Sequence, residues 1–113
     1  MSSYGEEKRR HPRIPITARV TLKDGGETNY LFTKDLSVGG AALISEQPIS
    51  LGTRVLMDFA IPNVKNLIKV EGVVVRYFSQ SSEKGFGVKF TKFKPHSKRR
   101  LEKALAEHKN GKA

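Results

Sequence analysis

The chain has 113 residues, 37% of them hydrophobic and 28% charged, with no cysteine. That is one domain's worth of sequence with a modest core, and it excludes disulfides and thiolate metal sites, which fits a reducing, cytoplasmic setting. No secretory leader is visible and no stretch nears the ~20 apolar residues of a membrane span, while a formal charge of +10 favours anionic partners.

Residues 1–7 are polar and acidic and are expected to form a flexible N-terminus. A basic knot follows, Lys8-Arg9-Arg10-His11-Pro12-Arg13. From there Ile14, Ile16, Ala18, Val20 and Leu22 share one parity, and Thr17, Arg19, Thr21 and Lys23 the other. Period two with β-branched residues predicts a half-buried strand. Asp24-Gly25-Gly26 predicts a tight turn, because glycine reaches positive φ at little cost. A second strand is expected from about Thr28 to Asp35. The segment Ser37 to Gly40 interrupts it, and Ala41 to Ser45 is extended again.

Pro48 to Gly52 reads as a loop. Val55, Met57, Phe59 and Ile61 alternate until Pro62-Asn63 ends that strand. Ile68 to Phe78 is valine-rich and reads as a long strand, Ser79 to Lys84 as a polar hairpin tip, and Gly85 to Phe93 as a last strand. Short strands with turn signals every 8–12 residues or so predict an antiparallel barrel or sandwich. After Pro95 the period changes: Leu101, Ala104, Leu105 and His108 follow helical spacing, Pro95 can open a helix, and Gly111 can stop it. Charge is concentrated here, with eight Lys or Arg against two Glu between residues 92 and 113.

Two segments carry candidate chemistry. Arg9, Arg10 and Arg13 offer guanidinium forks, each able to donate paired hydrogen bonds to a phosphate or to O6 and N7 of guanine. Pro12 disfavours helix at His11, so the segment is expected to be extended and able to wrap a ligand. The second segment is Asp35-Leu36-Ser37-Val38-Gly39-Gly40. An ionised Asp35 can accept from the N1–H and amino group of guanine, Ser37 offers a hydroxyl, and Gly39 and Gly40 allow close backbone approach. Separately, a basic run is most often a solvated arm, and Asp-x-Ser-x-x-Gly is most often a turn. Together, a ligand carrying both guanine and phosphate would satisfy them.

The pair resembles the signature of the PilZ domains, bacterial receptors for cyclic di-GMP: Arg-x-x-x-Arg before the first barrel strand, and Asp/Asn-x-Ser-x-x-Gly between later strands. The resemblance runs from about Lys8 to Phe93 and includes a closing strand similar to Gly85-Phe86-Gly87-Val88-Lys89-Phe90. It implies a mainly β protein, a six-stranded antiparallel (split) barrel with a C-terminal amphipathic helix. The division is then a flexible stretch at 1–7 and one domain at 8–108, with an arginine switch segment at 8–13, the barrel at 14–93 and the helix at 95–109, and a tail at 110–113. It further implies that Arg9 and Arg13 grip phosphates and the guanine Hoogsteen edge, that Asp35 reads the opposite edge, that Ser37 adds a hydrogen bond, and that Gly40 keeps the floor open. Arg10 is a helper. Lys8 stands where the family often has a further arginine, a position linked to ligand stoichiometry.

The function so implied is a non-enzymatic receptor or adapter with cyclic di-GMP as ligand and no cofactor. Its arginine segment is ordered by the ligand, and it signals to a partner protein not named by the sequence. Catalysis has little support: His11, His96 and His108 lack metal-ligand spacing, and Ser37 lacks a nucleophile-elbow context. Two alternatives remain, a basic nucleic-acid-binding barrel with exposed Tyr30 or Tyr77, and a ligand-free interaction module on the same scaffold.

Overall fold

The computed structural model describes residues 12–109. Six strands, β1 (Arg19–Asp24), β2 (Glu27–Leu36), β3 (Gly40–Ile44), β4 (Arg54–Ala60), β5 (Ile68–Gln80) and β6 (Glu83–Phe93), precede one helix, α1 (Ser97–Lys109). Every pairing is antiparallel, and the order β1-β2-β3-β6-β5-β4 closes on itself through β1 and β4. Closure removes the open sheet edges that a flat sheet of this size would expose.

Alternation in the sequence becomes the inside and outside of the barrel. Val20 and Leu22 of β1, Val55, Met57 and Phe59 of β4, and Phe86, Val88 and Phe90 of β6 point inward and are buried. Phe90 meets Phe59 and Phe93 edge-on, with centroids 5.7 and 5.6 Å apart, the arrangement that ring quadrupoles favour. One end of the barrel is covered by α1, whose Leu101, Ala104 and Leu105 join the same core. The expected six-stranded barrel with a C-terminal helix is what the chain forms. No helix among the described residues is long and apolar enough to cross a membrane.

Three local expectations are corrected. The strand expected from Ile14 begins only at Arg19, although Ile14, Ile16 and Ala18 are buried as their parity requires. Residues 14–18 form a leader held to β2 by one isolated bridge and by the Thr33 side chain; Pro15 has no N–H to give a ladder there. The helix starts at Ser97 rather than Pro95. The carbonyl of His96 accepts from Arg100 N–H, and His96 itself turns the chain at φ 69°. Last, the hairpin tip at 79–84 is shorter than expected, since β5 runs to Gln80 and β6 starts at Glu83.

Candidate ligand-binding site

Arg13 is placed by its neighbour. Ile14 and Leu36 exchange both backbone hydrogen bonds at 2.9 Å, which sets Arg13 across from Ser37 and on the same face of the antiparallel pair as Asp35. The Arg13 Nε lies 3.7 Å from Asp35 Oδ1, with the two side chains 34% and 21% exposed. That separation makes an ion pair without a hydrogen bond. Asp35 Oδ1 is buried and has no hydrogen-bond partner among the described residues. A buried acceptor left open costs free energy until a donor meets it.

Ser37 to Gly40 forms a tight loop between β2 and β3. Ser37 N–H donates to the Gly40 carbonyl at 2.9 Å, and Gly39 and Gly40 N–H both donate to Ser37 Oγ at 3.1 Å. The Ser37 hydroxyl also lies 3.3 Å from the Gly40 carbonyl, so its one proton and both lone pairs are engaged within the loop. Gly39 in turn accepts from Phe90 N–H at 2.9 Å, tying the loop to β6. A Cβ on Gly40 would come 2.3 Å from the Val88 carbonyl oxygen. In this structure glycine at 40 is therefore required by the approach of β3 to β6.

Beyond the loop runs an open groove of about 900 Å³, lined by Arg13, Gly39 and Gly40 together with Arg76 and Gln80 of β5. Register relates Asp35 to Arg76 across the sheet. Asp35 pairs with Ala42, Ala42 with Gly87, and Gly87 with Arg76, so two small residues lie between the carboxylate and the guanidinium. A Cβ on Gly87 would sit 3.1 Å from Cζ and Nε of Arg76; the arginine lies across that glycine. Among the described residues five cations line the groove, Arg13, Arg76, Lys89, Lys92 and Lys98, and no carboxylate does. A second cavity of about 620 Å³ between Lys23, Arg54 and Glu71, which shares Thr91 and Lys92 with the groove, holds none of the motif residues and is mixed in charge.

Of the residues singled out in the sequence, Arg13, Asp35, Ser37, Gly39 and Gly40 are thus brought together; Arg9 and Arg10 lie outside the described residues, as do Lys8 and His11. Arg76, Lys89, Lys92 and Lys98 line the groove without belonging to either motif. Strict alternation from Val74, which is buried, would turn Arg76 inward. A bulge between Val74 and Arg76 shifts the phase and turns it out instead. The trace of this in the sequence is Gly87 on the facing strand.

A family model described as the PilZ domain matches residues 7–107. No curated protein sequence matches the chain. Among solved structures, the Bacillus subtilis inhibitor of motility MotI/DgrA superposes with a TM-score of 0.80 at 18% identity, covering 94% of this chain and 53% of that one. YcgR from Escherichia coli in complex with c-di-GMP gives 0.79 at 16% identity, covering 92% and 47%. The PilZ domain of YcgR with c-di-GMP gives 0.62 at 17% identity, covering 94% and 99%. The chain spans about half the length of the first two. At these identities the likeness shows the fold.

Proposed function

We propose that this chain, which belongs to the PilZ domain family, is a receptor for cyclic di-GMP that binds in the cationic groove and passes the signal to a partner protein. The observation that carries this reading is the meeting of Arg13 and Asp35, 3.7 Å apart at the edge of a groove that, among the described residues, five cations and no carboxylate line. Two phosphates need cations, and a guanine edge with two N–H donors needs an acceptor. The open Oδ1 of Asp35 is such an acceptor.

In this reading Arg13 leaves its long contact with Asp35 for a phosphate or a guanine Hoogsteen edge, and Asp35 takes the guanine N–H donors. Exchanging a 3.7 Å ion pair for short charge-assisted hydrogen bonds on both sides favours the bound state. Arg9 and Arg10 close over the ligand from the same segment. Ser37 contributes by holding the Gly39 and Gly40 amides in place. No step in this sequence of events breaks a covalent bond, and the role is that of a sensor. The shift of the arginine segment, bound at a new place when ligand is present, is what a cytoplasmic partner would read.

Titration calorimetry with cyclic di-GMP, against GTP and cyclic di-AMP, tests it. Arg13→Ala and Asp35→Ala should each lower affinity about 10- to 100-fold, the equivalent of one charge-assisted hydrogen bond at ~1.5–3 kcal/mol. Their circular dichroism should stay that of the folded barrel. Equal affinity for all three nucleotides would show a general anion patch and end the proposal.

A further inference from the structure

Four of the five groove cations belong to the arginine segment or to strands, and the fifth, Lys98, belongs to α1. Resting on the ligand reading above, we propose that Lys98 contacts a ligand phosphate directly and that cyclic di-GMP binding is thereby coupled to the C-terminal helix. The ligand is then held from three parts of the chain: Arg13, the β2–β3 loop and the first turn of α1.

The first turn is fixed where it stands. Ser97 is buried at 1% exposure, its Oγ accepts from Lys69 N–H at 3.0 Å, and its own N–H donates to the Lys94 carbonyl at 3.0 Å. Leu101, one turn on, is buried in the core. The backbone of Lys98 is therefore anchored between β5 and the core while its side chain is exposed at the groove. Among the described residues Lys98 makes no ion pair, and Glu102, a turn away on the same helix, forms none with it. Its neighbours across the groove are like charges, Arg13 and Lys89 among them, and like charges sharing a site repel. A dianion entering the groove turns that repulsion into attraction. A long stem ending in three rotatable donors suits a phosphate met as a point charge.

Arg99 and Lys103 are exposed on the same helix but do not line the groove, which supplies an internal control. The experiment is calorimetry with cyclic di-GMP on the full chain and on Lys98→Ala, Lys98→Glu and Lys103→Glu, with melting curves to confirm folding. Lys98→Ala should weaken binding about 5- to 20-fold and Lys98→Glu more, from loss and then reversal of one phosphate contact, while Lys103→Glu stays within about twofold because solvent and salt screen it. Hydrogen exchange adds a readout of coupling: ligand should slow exchange of the α1 amides in the wild type and not in Lys98→Ala. Wild-type affinity in Lys98→Glu, or an equal loss in Lys103→Glu, overturns the direct contact. Absence of cyclic di-GMP binding by the unmodified chain would instead bring down the receptor reading, and this inference with it.

Discussion

Thr33, Ser37 and Ser97 are the buried polar residues among those described, and each pins a different wall of the groove. Thr33 does so for the leader that carries Arg13. Its hydroxyl accepts from Ala18 N–H at 2.8 Å and donates to the Ile16 carbonyl, a side chain completing a ladder that Pro15 cannot. Valine at 33 keeps the shape and strands both backbone groups in the core. With a buried unsatisfied group costing about 1–3 kcal/mol, Thr33→Val should lose roughly 2–4 kcal/mol in urea denaturation, and Thr33→Ser much less. Equal stability of the two would remove the hydroxyl from the account. Gly40 is tested in the same way. A methyl group facing the Val88 carbonyl at 2.3 Å must push β3 off β6, so Gly40→Ala should cost about 1–3 kcal/mol by overpacking. Because this loss shows in the melting of ligand-free protein, it separates a structural need for glycine from a ligand-contact role. A Gly40→Ala variant that melts like wild type and fails to bind would assign the glycine to the ligand instead.

Elements differ in how far the sequence reveals them. The inward set Val20, Leu22, Val55, Met57, Phe59, Phe86 and Val88 is visible as parity, because one face of each strand must leave water. Arg13 and Asp35 are visible as a motif pair, yet their contact depends on the Ile14–Leu36 bridge, and no local pattern announces a pairing between residues 22 positions apart. The outward turn of Arg76 is hidden for the same reason: a bulge is a property of two strands in register, and only one of them holds the residue. Pro95 suits a first helical position but here precedes a reversal at His96, so α1 begins two residues later than the sequence predicts. Helix α1 also breaks an electrostatic preference, with Lys98, Arg99 and Arg100 in its first turn and no acidic residue there. The N-terminal end of a helix favours negative charge. Arg99→Glu, on an exposed side chain that does not line the groove, should raise the melting temperature slightly, by the equivalent of about 0.3–1 kcal/mol at low salt. The gain should vanish in high salt. A gain unchanged by salt would point to packing and away from the helix dipole.

At the scale of the whole molecule the question is what a charge of +10 is for. A chain this basic attracts any polyanion at low ionic strength, so association with nucleic acid in dilute buffer carries little information. The geometry separates a compact ligand from a polymer. A groove of about 900 Å³ with five lining cations is sized for a small dianion, while a strand of nucleic acid would have to run out of it and across the surface lysines. A polymer contact neutralising 6–10 phosphates loses about 10³- to 10⁵-fold in affinity between 50 and 200 mM salt. A ligand with two phosphates, held by hydrogen bonds to Arg13 and Asp35 in a partly desolvated site, should lose about tenfold or less over that range. Measured side by side, cyclic di-GMP and a short single-stranded oligonucleotide should therefore diverge as salt rises, and Asp35→Ala should weaken only the former, since removing a carboxylate from a basic surface can only help a polyanion. If Asp35→Ala left cyclic di-GMP binding intact and both ligands fell together with salt, the groove would be acting through net charge alone, and the pairing of Arg13 with Asp35 would have no part in recognition.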